Sequence, residues 1–343
     1  MLQEMLIRGT IFLPVLLACL FLNAGLYIGE ANPPSVNIIG KVINGTNKGS
    51  PEGGLQVFLH KHDINAGVVV SQAVTDSKGA FIFENVVVED KVLFAISLTY
   101  KGAFYVEPVD LLGMEDNYTI VKVFENTSSD EILTVVNASL LVSDINVNDR
   151  VLSILEMVTL SNASDTTYIP GSGPMEILRF GLPGNSRNLI VDTGLGDAEY
   201  IRVDKGFGLM ASVPPGLHEV FYTYELPYVG PTAEIIKTWR YGAGRFRVLA
   251  LSGLLSIDTD MAVPTNVVEI GGRNYDVQES KGIQRSSQTS IVLNELPQPS
   301  IVALLVHKTG SIKIEYVGLA VLAVLLTTLS LTVIFRSIGH SKQ

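Results

Sequence analysis

The stretch that decides the fold reads VSQAVTDSKGAFIFENVVV, from Val70 to Val88. Thr75, Asp76 and Gly79 make a turn signal. An aspartate side chain can bond backbone two residues further on, and glycine supplies the positive φ of a tight reversal. Beyond the turn, Phe81 and Phe83 alternate with Ala80, Ile82 and Glu84. Two rings therefore share one strand face, and the stretch predicts a strand that sends them into a core between sheets.

The same punctuation continues in both directions. SVNIIGKVI, GLQVFLHKH, KVLFAISLTY and YTIVKVFE are short apolar runs broken by Gly, Pro, Asn and Asp. No long segment between Pro33 and Gln298 has the 3.6-residue period of a helix, so the body is expected to be all-β, built as sandwiches. ENTSSDE, after Phe124, is a polar run of turn formers and marks a boundary. A second block opens with EILTVVNASLLVSD and runs through MEILRFGLP, NLIVDTGL and EVFYTYELPY. RVLSILEMVTL could be helical by the spacing of Val151, Ile154, Leu155 and Val158, but its β-branched neighbours favour a strand. From Thr238 a further set of runs either completes this block or forms a small third unit.

Three motifs in the first block follow one another in the order of a known module. They are Gly40-Lys41-Val42-Ile43-Asn44, Gly54-Leu55-Gln56-Val57-Phe58-Leu59, and Thr75-Asp76-x-x-Gly79-x-Phe81-x-Phe83-x-Asn85-Val86. From about Val36 to Phe124 the chain resembles the carboxypeptidase regulatory-like domain, a transthyretin-like Greek-key β-sandwich with a carbohydrate-binding-like fold. The resemblance implies a fold and no peptidase activity, because in that family the module accompanies a catalytic domain without sharing its chemistry. The second block is similar to β-rich exported bacterial proteins, some of which accompany cytochrome c maturation. No residue carries over from that likeness.

Both ends read as membrane segments. Arg8 precedes an apolar run from Ile11 to about Leu22, and Gly29 and Ala31 sit at the −3 and −1 positions of a cleavage site before Asn32. Residues 1–31 are thus expected to be a signal peptide, with an uncleaved anchor as the rival. Leu16-Leu17-Ala18-Cys19 resembles a lipoprotein box, but apolar Leu20, Phe21 and Leu22 follow it. Tyr316 to Phe335 is uncharged and long enough to cross the hydrocarbon core as a helix. Arg336, His340 and Lys342 behind it favour a cytoplasmic tail, 336–343. The expected plan is a β-sandwich at 34–125, a β-rich domain at 131–298 and a stalk at 299–315. The bulk of the chain would then face outward from the plasma membrane, and its style is prokaryotic.

A net charge of −10 over 343 residues leaves no basic stripe for phosphates and argues against a nucleic-acid partner. Cys19, the one cysteine, lies inside the N-terminal apolar run, so the body has neither a disulfide nor a thiol nucleophile. No Cys-x-x-Cys-His is present for haem, and no cofactor is expected. His60 and His62 share a strand face and with Asp63 could hold a metal weakly, although solvent-facing histidines serve as well. Gly171-Ser172-Gly173 lacks the helix that a nucleophile elbow needs. The loop acids Asp192, Asp197 and Asp204 are more simply explained by solubility than by glycoside hydrolysis. Trp239 with Tyr241, and Tyr222 with Tyr224, are i, i+2 aromatic pairs that either pack in the core or form platforms for a sugar ring. Asn-x-Ser/Thr sequons fall at Asn44, Asn117, Asn126, Asn137 and Asn162.

These features lead to the expectation of a non-catalytic, membrane-anchored binding or scaffolding protein. The alternatives are an accessory subunit of an envelope assembly, such as cytochrome c maturation or transport, and a carbohydrate-binding surface module. The expected partners are the membrane itself and, beyond it, envelope proteins or glycans.

Overall fold

The computed structural model describes residues 35–299, apart from 63–66, 89–91, 110–117, 172, 174–175 and 260–262; for 62, 67 and 263–266 it describes backbone alone. The expected signal peptide, transmembrane helix and tail lie outside the described residues, as does all but the start of the stalk. Among the described residues no helix is long and apolar enough to cross a membrane.

The first half contains β1 (Ser35–Asn44), β2 (Gln56–His62), β3 (Gly67–Val74), β4 (Ala80–Val87), β5 (Leu93–Tyr100), β6 (Ala103–Val109) and β7 (Tyr118–Val123). They form two sheets, ordered β4-β1-β7 and β3-β2-β5-β6. Ile38, Val42 and Val121 from one sheet meet Val57, Leu59 and Ile96 from the other in a single core. β1 runs antiparallel to β4, from Ser35↔Val87 to Lys41↔Ala80, and parallel to β7, from Ile39↔Tyr118 to Asn44↔Val123.

The turn before β4 is built as its residue types require. Asp76 Oδ1 accepts from the backbone N–H of Lys78 and of Ala80, each at 2.8 Å. Those two bonds stabilise the carboxylate and hold the Asp76 carboxyl below its ordinary value. Gly79 has φ +79°, and a Cβ there would lie 2.4 Å from Val42 O, so no other residue fits. Phe81 and Phe83 are buried and meet edge to face, ring centroids 5.5 Å apart.

The second half begins with a two-residue strand, β8 (Asn126–Thr127), and a 3-10 turn at Asp130–Ile132. β9 (Leu133–Asn146), β10 (Val151–Asn162), β11 (Thr167–Tyr168), β12 (Leu178–Gly181), β13 (Arg187–Thr193), β14 (Glu199–Val203) and β15 (Gly206–Met210) follow. Then come β16 (Gly216–Pro227), β17 (Ala233–Trp239), β18 (Ala243–Leu251), β19 (Ser256–Thr259), β20 (Val263–Ile270), β21 (Arg273–Ile283) and β22 (Ser287–Asn294). Seven strands make one sheet, β13-β16-β10-β9-β18-β21-β20. Two three-stranded sheets, β12-β15-β14 and β17-β22-β19, share its core. The ambiguous run is strand from Val151 onward, all of it within β10, and burial alternates along β10 residue by residue. From the runs after Thr238, Trp239, Phe246 and Ile291 belong to the cluster that holds Leu140 and Ile154.

The polar run after Phe124 is no loose linker. β8 pairs parallel with β11, Asn126 opposite Thr167 and Thr127 opposite Tyr168. Across this joint Tyr105 OH lies 2.8 Å from Thr167 Oγ1, and Thr46 Oγ1 donates to Asp165 O. Ile169 packs against the first core, and a Cβ on Gly196 would strike the Phe104 ring. Asn44 and Asn162 are buried and hydrogen-bonded, Asn44 to Glu125 Oε1 and Asn162 to Val213 O. Those two sequons therefore offer no acceptor in the folded state.

Candidate functional site

Alternation along β10 sends Ile154, Glu156 and Val158 to the same face, which is the inner one. Alternation along β17 does likewise with Ile235, Lys237 and Trp239. An acid and a base of opposite charge thus enter one apolar core on two different sheets. Glu156 is 1% exposed and Lys237 4%.

They find each other at 2.5 Å, Lys237 Nζ to Glu156 Oε2. Lys237 Nζ also donates to Tyr222 OH at 2.9 Å and to Gly181 O at 3.0 Å, which uses its three protons. Tyr222 OH donates to Glu156 Oε2 at 2.7 Å and Tyr224 OH to Glu156 Oε1 at 3.0 Å. Every member is satisfied, as a buried charge requires. Burial, with the Glu156 charge behind it, raises both tyrosines well above their ordinary value. The cluster ties the seven-stranded sheet to both smaller sheets, because Gly181 belongs to β12 and Lys237 to β17.

The proposed aromatic platforms must be corrected. Tyr222, Tyr224, Trp239 and Tyr241 are between 1% and 4% exposed, and all belong to the core. The i, i+2 spacing does place Tyr222 and Tyr224 on one face of β16, but it is the face turned inward. Trp239 Nε1 donates to Thr289 Oγ1 at 2.9 Å, and its ring meets Phe246 edge to face at 4.7 Å. Tyr241 OH accepts from Arg179 N at 2.9 Å, and the guanidinium carbons of Arg240 and Arg285 stand 6.0 and 5.9 Å from its ring centre. Burial raises its pKa as well. None of the four can stack on a sugar from solvent.

His60 Nε2 lies 2.7 Å from Ser97 Oγ, which places it inside a side-chain pair. The His62 side chain, Asp63 and Ser172 lie outside what is described. Among the described residues no group of three or more His, Cys, Asp or Glu could hold a metal ion. His218 Nε2 is 2.8 Å from Pro214 O.

A cleft that sequence inspection misses opens above the buried cluster. β12 and β17 are both edge strands, and no ladder joins them. Between them is a cleft of about 410 Å3. Arg179, Lys205 and Arg240 line it, with Thr238, Ser286 and Gln288 as uncharged polar partners and Phe180 and Val203 as apolar wall. A narrow cavity of about 20 Å3 beneath it shares Phe180, Gly181 and Thr238 and reaches Lys237. Arg179, Thr238 and Gln288 stand on strands β12, β17 and β22, and Lys205, Arg240 and Ser286 on the connections beside them. Lys205 is at the tip of the two-residue hairpin between β14 and β15, where Gly206 at φ +152° lets Phe180 O approach closer than any Cβ would allow. Ser286, with φ +59°, ends the turn between β21 and β22. Arg240 is held by Asp130 Oδ2 at 2.6 Å, and Asp130 also pairs with Arg285 at 3.5 Å. Arg240 Nε is buried and has no hydrogen-bond partner among the described residues.

No protein-family model matches this chain, and no curated relative matches it either. Solved structures give slight likenesses. An M1 zinc metallopeptidase from Deinococcus radiodurans is 13% identical at a TM-score of 0.32, over 47% of this chain and 42% of that one. A protein described as nutrient-binding, from Legionella pneumophila, is 10% identical at 0.31, over 50% and 70%. The major pilin SpaD of Corynebacterium diphtheriae is 12% identical at 0.21, over 79% and 85%. The chain therefore spans less than half of the peptidase's length. Likenesses at these scores carry no argument about activity or partners.

Proposed function

We propose that this chain is a non-catalytic binding or scaffolding protein, anchored by residues 316–335 with its β-body outside the cytoplasm. In this reading its first sandwich is of the carboxypeptidase regulatory-like, Greek-key type. The observation that carries the reading is the closed state of the Glu156–Lys237 cluster. Both carboxylate oxygens and all three ammonium protons are engaged by the protein's own atoms, and both side chains lie among core residues. A general acid or nucleophile has to meet substrate, whereas this pair meets three sheets. The two sheet layers of the first half and the joint at β8 and β11 give a preformed body well suited to present surfaces.

The test is topological. In a Cys19→Ser chain, single cysteines replace Ser128, which is exposed, and Ser341. An impermeant thiol reagent on intact cells should label position 128 and reach position 341 only after lysis. The reverse pattern would place the β-body in the cytoplasm and end the proposal.

A further inference from the structure

We infer that the cleft between β12 and β17 binds an acidic sugar, a pyranose carrying a carboxylate. This inference deepens the binding reading and rests on it only for the claim that the body serves to bind. Three kinds of lining group argue for that chemistry together.

The first is charge. Arg179, Lys205 and Arg240 converge on one cleft of a protein whose formal charge is −10, so the local sign opposes the global one. A cleft of one sign with low-dielectric walls concentrates ions of the other sign. Asp130 occupies a terminal nitrogen of Arg240, yet the buried Nε is left without a partner among the described residues. A buried donor in that state marks a place for an acceptor that is not protein. Lys205, exposed on its hairpin tip, has no ion pair among the described residues.

The second kind is uncharged: Thr238, Ser286 and Gln288. Hydroxyl and amide side chains both donate and accept, which suits ligand hydroxyls that do the same. An inorganic anion uses only their donors, whereas a sugar hydroxyl uses their acceptors as well. The third is the wall of Phe180 and Val203, against which the C–H face of a pyranose can lie. The Phe180 ring is fixed by stacking on Phe207, centroids 5.2 Å apart at 19°. At about 410 Å3 the cleft falls in the range of roughly 300–1,000 Å3 typical of small-molecule sites. A sugar site of this kind is separate from the buried Trp239 and tyrosine pairs.

Titration calorimetry on the full chain in detergent micelles tests this, with D-glucuronate as probe and D-glucose and inorganic phosphate as comparators. Glucuronate should bind saturably, and glucose and phosphate about tenfold more weakly or not at all. Lys205→Gln should weaken glucuronate about tenfold while leaving the melting temperature unchanged, because one charge-assisted contact is lost from an exposed site. Thr238→Val, which keeps the side-chain shape, should weaken it by a smaller factor and serves if the first variant misfolds. Absence of saturable glucuronate binding overturns the inference, as does equal binding of glucose. Phosphate binding as well as glucuronate would make the cleft a simple anion site and overturn it too. Affinity unmoved by both variants would place the sugar elsewhere. Labelling that keeps position 128 outside while glucuronate fails to bind overturns this inference alone.

Discussion

Lys237 and Glu156 are an oppositely charged pair buried in the core. Lys237→Met should destabilise the second half by about 3–5 kcal/mol, because it leaves an uncompensated carboxylate among buried tyrosines. Glu156→Gln combined with Lys237→Met should cost far less than the sum of the two single changes, since a neutral amide oxygen still accepts from the tyrosine hydroxyls. Chemical denaturation of the four proteins of this cycle provides the check, and strict additivity would mean that the pair is not coupled. The sequence did hold a signal for this pair. SILEMVTL carries Glu156 in phase with Ile154 and Val158, and EIIKTW carries Lys237 in phase with Ile235 and Trp239. A charge standing in the apolar phase of a strand, matched by its opposite in another strand, is a candidate buried pair. The cleft left no such trace. Arg179, Lys205 and Arg240 are far apart in sequence, and each sits among residues of ordinary solubility, so only the meeting of two sheet edges reveals them.

Strands were legible because alternation is a local property, and β1, β4, β10 and β16 bury every second residue much as their sequences suggest. How the elements join was not legible, since ENTSSDE has the composition of a linker yet forms part of a joint. This bears on a fragment from Asn32 to Asn126. Its core is complete, as the buried cluster from Ile38 to Val123 lies within it. It loses Thr167 opposite Tyr105, Ile169 against the core and the partner of β8. The fragment should fold, with a melting temperature below that of the same sandwich in the whole chain. Proton–nitrogen NMR spectra and thermal scans of both check this; a fragment without dispersed resonances would show that the joint belongs to the first fold itself.

At the scale of the whole molecule, buried phenols set an alkaline limit. Burial raises Tyr168 from 10.0 to about 12, and burial also raises Tyr222 and Tyr224 well above their ordinary value, with Glu156 adding to the effect. The folded chain therefore keeps protons that the unfolded chain releases from about pH 10 upward. Their contribution to stability is fully present below pH 10 and is lost as the pH climbs through the folded values. Phenolate absorbance from these residues should appear together with loss of the β-type circular dichroism signal. Ionisation near pH 10 with the sheets intact would contradict their burial. The parallel pairing of β1 with β7 has a mechanical consequence as well. The start of β1 and the end of β7 lie at opposite ends of one ladder, so tension on the two ends of the first sandwich slides the strands lengthwise past each other. The six residue pairs from Ile39↔Tyr118 to Asn44↔Val123 then bear the load together. An antiparallel pair opened from one end would yield them one after another. In a chain whose single cysteine lies outside the body, this ladder stands where a cross-link would otherwise resist stretching. Stretched in a force spectrometer, the first sandwich should give way in one high-force event, and a stepwise low-force unzipping would show that the β1–β7 ladder does not carry the load.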